Sequence, residues 1–171
     1  MRDIEIKVRP RDWERVHREL ARLGARDMGV ETQHDIFYSC STGRLKFRSS
    51  SRDGDMLVAY SRPDAPGLRA SDYHLVPVTD RAALLRALDA TLGRLGEVRK
   101  RRQLFWLDNI RVHLDEVDGL GRFLEIEAQV DDAHPEEQCR EAAAALLEGF
   151  GIRPEDRLSV AYVDLEVRRE D

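Results

Sequence analysis

Residues 111–127, RVHLDEVDGLGRFLEIE, constrain this chain more than any other stretch. Val112, Leu114 and Val117, then Phe123, Leu124 and Ile126, read as the apolar content of two strands. Asp118-Gly119 and Gly121 lie between them, where a hairpin needs residues that accept positive φ. Side chains alternate along a strand, so Arg111, His113 and Asp115 share one face of the first strand. Glu125 and Glu127 share one face of the second, while Leu124, Ile126 and Ala128 take the other. The hairpin therefore has one apolar face and one that carries three carboxylates, an arginine and a histidine. A solvated polar face is the ordinary reading of a single hairpin. The deciding question is whether other strands repeat it.

They do. In residues 2–8, Ile4, Ile6 and Val8 alternate with Asp3, Glu5 and Lys7. In residues 44–48, RLKFR, one face carries Arg44, Lys46 and Arg48, which repel one another unless anions lie opposite. Further strands are predicted at 30–39, with Ile36, Phe37 and Tyr38, at 56–62, ending in Arg62, at 68–78, and at 95–107, where Lys100 and Arg102 share a face with Val98 and Leu104. Turns fall at Ser41-Thr42-Gly43, at 49–55 and at 63–67.

Three segments have helical rather than strand periodicity. Residues 10–23 place Trp13, Val16, Leu20 and Leu23 on one stripe between Pro10 and Gly24. A second helix, capped by Thr79 or Asp80, has Ala83, Leu84, Leu88 and Leu92. A third spans 132–149, with Pro135 and two acids in its first turn and Ala142, Leu146 and Leu147 toward the core. A short helix or strand over 155–166 closes the domain, and the last five residues are expected to fray.

About eight strands and a few helices suit a mainly β, α+β chain: a closed antiparallel barrel with helices packed outside. One domain covers 1–171. Each helical stripe needs an apolar partner, which turns the apolar strand faces outward and the charged faces into the lumen. Charges in such a lumen must pair, hold ions or stay hydrated. Carboxylates hold Mg²⁺ or Mn²⁺ through oxygen, and arginines and lysines clamp phosphate oxygens. Acids on some strands and bases on others therefore suit a polyanion together with a metal. An internal salt-bridge network without a ligand is the plainer alternative.

Composition narrows the partners. The net charge of −5 and pI of about 5.6 argue against non-specific nucleic-acid binding. No apolar run is long enough for a bilayer, and the charged N-terminus is not a signal peptide. Cys40 and Cys139 lack metal spacing and fit a reducing cytoplasm. A homodimer is a reasonable expectation, although no stretch points to an interface.

The ordered motifs Glu5-x-Lys7, Arg44-Leu-Lys46-x-Arg48, Tyr60-x-Arg62, Ser71-Asp72-Tyr73, Lys100-x-Arg102, Arg111-x-His113-Leu-Asp115, Gly119-Leu-Gly121, Glu125-x-Glu127 and Tyr162-Val-Asp164-Leu165 resemble the CYTH domain, the triphosphate tunnel metalloenzyme superfamily. The resemblance runs from residue 2 to about 166 and is strongest toward the class IV adenylate cyclase branch. It implies an eight-stranded tunnel that binds ATP or another triphosphate with Mg²⁺ or Mn²⁺. Glu5, Asp115, Glu125 and Glu127 match metal-binding acids. Lys7, Arg44, Lys46, Arg48, Arg62, Lys100, Arg102 and Arg111 match cations that hold the triphosphate, with Lys7, Lys100 and Arg111 as the catalytic members. Asp3 stands where the family signature has glutamate, and its shorter side chain is expected to reach a metal only through water. Besides conversion of ATP to cyclic AMP and pyrophosphate, a triphosphatase acting on inorganic or thiamine triphosphate and a non-catalytic polyphosphate- or nucleotide-binding module fit the same motifs. His113 is read as structural or, less readily, as a base.

Overall fold

The computed structural model describes residues 1–165. Its strands are β1 (Arg2–Val8), β2 (Arg26–Tyr38), β3 (Arg44–Ser50), β4 (Gly54–Ser61), β5 (Arg69–Pro77), β6 (Arg94–Leu107), β7 (Ile110–Val117), β8 (Gly121–Gln129) and β9 (Arg157–Leu158). The helices are α1 (Trp13–Arg22), α2 (Arg81–Thr91) and α3 (Glu136–Gly149). The sheet runs β5-β4-β3-β2-β6-β7-β8-β1, and antiparallel pairing of β1 with β5 closes it into the expected eight-stranded barrel. β1 is the seam. One edge pairs with β8 from Asp3 to Val8; the other is shared between β5, at Arg2 to Glu5, and the short β9, at Lys7 and Val8. Closure removes the free edges that would otherwise invite association.

The helices decide which way the strands face. α1 and α3 set Val16, Leu20, Cys139, Ala143, Leu146 and Leu147 against Ile4, Ile6, Val8, Val112, Leu124 and Ile126, all buried. Strand alternation then turns Lys7, His113, Glu125 and Glu127 toward the lumen. α2 covers Ile36, Tyr38 and Phe47 with Leu84, Leu85 and Leu88, but none of its own residues is fully buried. At one end of the lumen, Ala161, Tyr162 and Val163 meet Phe37, Val98, Val117 and Phe123 in a separate apolar cluster. Among the described residues no helix is long and apolar enough to cross a membrane.

Local chemistry moved several boundaries. α1 begins at Trp13 rather than Pro10 because the Asp12 side chain caps it, accepting a hydrogen bond from the Arg15 amide at 2.8 Å. α3 begins at Glu136, with Pro135 as its N-cap. β2 starts four residues before its predicted position, extended past a bulge between Asp27 and Val30 where Gly29 has φ 82°. The stretch 155–166, expected as one helix or strand, divides into a 3₁₀ turn at Pro154–Asp156, β9, and helical residues 162–165. The expected fraying of 167–171 lies outside the described residues. Gly43, in the turn from β2 into β3, has φ 64°, and a Cβ there would meet the Tyr60 carbonyl oxygen of neighbouring β4 at 2.9 Å.

Candidate functional site

The inward faces enclose a cavity of about 540 Å³. Of the cations expected to hold a triphosphate, Lys7, Lys46, Arg48, Arg62, Lys100, Arg102 and Arg111 line it; of the expected metal acids, Glu5, Glu125 and Glu127 do. They come from five of the eight barrel strands and, for Arg62, from just past the end of β4.

The charges interlock. Glu125 accepts from Lys7 and, at 2.5 Å, from Arg102. Arg102 also forks onto Asp115, with both contacts at 2.6 Å. Glu5 accepts from Arg62 at 2.9 Å and from Arg69 at 3.2 Å. Arg111 bridges Asp3 and Glu127, the latter at 3.0 Å. Asp35 accepts from Lys46 at 2.9 Å and from both ends of the Arg48 fork at 2.7 and 2.8 Å.

Two expected site residues sit elsewhere. Arg44 is absent from the lining; its guanidinium pairs with Asp164 and Asp64 at 2.9 Å each, which ties the β3 end to the terminal segment. Asp115 lies behind the cavity wall, 1% exposed, engaged by Arg102, by the Tyr162 hydroxyl at 2.9 Å and by Lys100 at 3.5 Å. Asp3 lines the cavity, where its carboxylate anchors Arg111 and accepts from the Tyr73 hydroxyl at 3.3 Å.

The sequence reading passed over Asp35, Arg69 and the site roles of Tyr73 and Tyr162. Asp35 had a signal: Glu31, Gln33 and Asp35 share the inner face of β2, and all three are buried. Polar Thr32 and His34 on the outer face hid that alternation. Tyr162 had none in local periodicity; it enters the site from the terminal segment, with Lys7 Nζ 3.4 Å from its ring centroid.

Burial and neighbours set the protonation states. Burial opposes ionisation of Asp35 and Asp115, but Arg48 and Lys46 in one case and Arg102 and Lys100 in the other overcome it and hold both carboxyls below the usual range. Glu127 is likewise held down to about 2, burial being outweighed by His113 and Arg111. Asp3 goes the other way: burial and the nearby Glu127 carboxylate push it up to about 6. Burial, with Arg48 alongside, pulls Lys46 down to about 7; burial, with Arg102 alongside, pulls Lys100 down to about 8.

Among the described residues one group could hold a metal ion. His113 Nδ1 is buried and has no hydrogen-bond partner. It lies 3.9 Å from Glu125 and 3.8 Å from Glu127, and one ligand atom from each of the three falls within 4.8 Å of the others. An imidazole nitrogen with two carboxylates is a donor set that divalent cations accept.

Known proteins share this architecture. The CYTH domain profile matches residues 1–162. A Methanocaldococcus jannaschii protein named "Putative adenylate cyclase" is 24% identical over 172 residues, covering 96% of this chain and 98% of that one. A solved structure from Pyrococcus horikoshii is 25% identical, with a TM-score of 0.82 over 95% of this chain and 98% of its own. A Hippeastrum protein described as a "putative adenylyl cyclase" with a dominant triphosphatase activity shares the fold at 18% identity, with a TM-score of 0.59 over 98% of this chain and 95% of its own. A barrel closed by β1 and β5, a lumen lined by alternating acids and bases, and a profile match along almost the whole chain lead to one assignment: the chain belongs to the CYTH domain family and has its triphosphate-tunnel fold.

Proposed function

We propose that this protein is a divalent-metal-dependent enzyme that binds a triphosphate in the tunnel and converts ATP to cyclic AMP and pyrophosphate. The observation that carries the tunnel reading is the pairing pattern: each of the acids Glu5, Glu125 and Glu127 holds one or more of the cations Lys7, Arg62, Arg102 and Arg111. The cyclase reaction rests on the resemblance of the Lys100–Arg102 and 111–127 motifs and on the relative named for that activity, which aligns along nearly the whole chain.

Glu125 and Glu127, with His113 as third donor and Glu5 nearby in the lumen, are the residues that would hold Mg²⁺ or Mn²⁺. A bound divalent ion supplies charge neutralisation at phosphate oxygens. The imidazole suits Mn²⁺ better than Mg²⁺, whose preferred ligands are oxygens. Were the two glutamates to serve as ligands, Lys7 and Arg111 would be free to face a phosphate chain, with Arg102 still held by its fork onto Asp115. In the reaction the ribose 3′-oxygen forms a bond to the α-phosphorus, the bond from that phosphorus to the α–β bridging oxygen breaks so that pyrophosphate leaves, and the hydroxyl proton passes to solvent water. Lys7, Lys100 and Arg111 stabilise the charge that develops on the pyrophosphate and the α-phosphate oxygens. Lys46 and Arg48, braced by Asp35, hold the rest of the chain.

Calorimetric titration of ATP between pH 6 and 9 tests this reading. Binding with Mn²⁺ is expected to be at least about tenfold tighter than in EDTA; equal affinity in the two would remove the metal from the account. Lys46, pulled down to about 7, is mostly neutral at pH 9 and gains its proton as pH falls. An anion favours the charged ammonium, so affinity rises as pH falls from 9 toward 7 and levels off below, with Lys100, pulled down to about 8, adding to the same rise. Lys46→Met should flatten that rise, and an unchanged profile would show that Lys46 does not face the phosphates.

A further inference from the structure

Lysine is confined to the tunnel. Of the 28 lysines and arginines in the chain, only Lys7, Lys46 and Lys100 are lysines, and all three line the cavity. Arginine holds every other such position; its guanidinium stays protonated and is no nucleophile. Apart from the N-terminal amine of Met1, a residue 62% exposed, every primary amine of the protein therefore sits in a cavity whose cations draw in anions.

The three amines are not equivalent. Lys7 has a side chain only 5% exposed, donates to Glu125 and lies 3.4 Å from the centroid of the Tyr162 ring. Lys100, 3% exposed in its side chain, faces Asp115 at 3.5 Å. The Lys46 side chain is 12% exposed, and its one acid contact is Asp35 at 2.9 Å. Arg48 already forks onto both oxygens of Asp35, so Lys46 can lose its proton without leaving that carboxylate uncompensated. Burial, with Arg48 alongside, pulls Lys46 down to about 7, so a large share of this amine is neutral near physiological pH. The aromatic rings of Phe37 and Tyr60 flank it at 5.3 and 5.7 Å. Arg48 follows two residues on along the same inward face, close enough in the strand to hold a phosphate beside the amine.

We propose that Lys46 is a site of covalent acylation by acyl phosphates, small anions whose phosphate end the tunnel cations attract and whose acyl carbon the amine attacks. The Nζ lone pair forms the bond to the acyl carbon, and the bond from that carbon to the phosphate ester oxygen breaks. Orthophosphate leaves with that electron pair, and the amine proton passes to water. Nothing is oxidised or reduced. The product is a neutral amide, so the tunnel loses one positive charge. The modification itself asks only that the cavity admit a phosphate-sized anion. Its consequence, a weakened triphosphate site, rests on the triphosphate reading of the tunnel.

The test incubates the wild type at neutral pH with acetyl phosphate or with the uncharged ester p-nitrophenyl acetate, and maps acetylated amines by peptide mass spectrometry. Acetyl phosphate is expected to modify Lys46 at least about tenfold faster than Met1, Lys7 or Lys100. The uncharged ester should favour the exposed Met1 amine instead. Orthophosphate should protect Lys46 and not Met1, and Lys46→Arg should remove that label while leaving the one on Met1. Comparable labelling of all four amines, the same preference with both donors, or no protection by orthophosphate overturns the proposal. Tripolyphosphate titration of the acetylated protein is a separate readout, with affinity expected to fall by about tenfold; unchanged affinity after complete acetylation overturns the consequence for the site. Failure of the unmodified protein to bind tripolyphosphate overturns the triphosphate reading, while the labelling pattern still decides Lys46.

Discussion

Glu127→Gln should lower metal-dependent turnover of the triphosphate by on the order of 10²–10³-fold while the barrel stays folded. Glu127 contributes one of three donors that converge within 4.8 Å, and an amide oxygen is a neutral, weaker ligand for a hard cation. The fold should tolerate the change because Arg111, which pairs with Glu127, keeps its second partner, Asp3. Steady-state turnover with Mn²⁺, alongside a thermal melt and Mn²⁺ binding by paramagnetic resonance, separates the effects. Full activity with unchanged Mn²⁺ affinity would sink the assignment of Glu127 to the metal.

Arg102→Ala should be the most damaging single change for stability, at roughly 3–5 kcal/mol. Arg102 is 4% exposed and supplies both hydrogen bonds of a fork to Asp115 and one to Glu125. Deleting it leaves Asp115, behind the lumen wall, short of its principal cation and takes one of two cations from Glu125 in the lining. Lys100, at 3.5 Å, is too distant to replace the fork on Asp115, and Lys7 remains only on Glu125. Urea unfolding of the variant and of Arg102→Ala/Asp115→Asn makes the mechanism visible. The second substitution neutralises the stranded acid and should recover part of the loss; no recovery would mean that the penalty comes from lost packing.

Strand alternation is a local property, and it carried most of the architecture. The facing of Glu125 and Glu127 against Leu124 and Ile126 followed from period two once α1 and α3 were known to need an apolar surface. What it missed was set by distant residues. Arg44 has the parity of Lys46 and Arg48, yet Asp64 and Asp164 draw its side chain out of the lining; Asp164 is 120 residues away in the chain. Asp115 has the parity of His113, but the Arg102 fork and a tyrosine from the terminal segment take its oxygens. Asp35 was passed over because the hydrophobic run beside it, Ile36 to Tyr38, dominated the reading of β2. Its role exists only because the register of β2 against β3 sets it opposite Arg48. Local pattern thus told which face a residue is on, and long-range register decided which partner it meets there.

The two tunnel ends differ for a similar reason. The apolar cluster at one end depends on Tyr162 and Val163 folding back over Phe123 and Phe37, contacts that no stretch of strand sequence announces. On the inner face of β4 and β5, Met56, Val58 and Leu75 were present in the sequence, but in isolation they were indistinguishable from an ordinary core face. Only closure of the barrel turned that face toward the charges.

The most direct measurement is incubation of the purified protein with ATP and Mn²⁺, with the products resolved by chromatography. The account predicts cyclic AMP and pyrophosphate in equal amounts, dependent on the metal and lost in Glu127→Gln. Orthophosphate and ADP instead would contradict the cyclase reaction while leaving the tunnel as a triphosphatase site. ATP recovered intact, with neither set of products formed, would contradict the enzyme reading altogether.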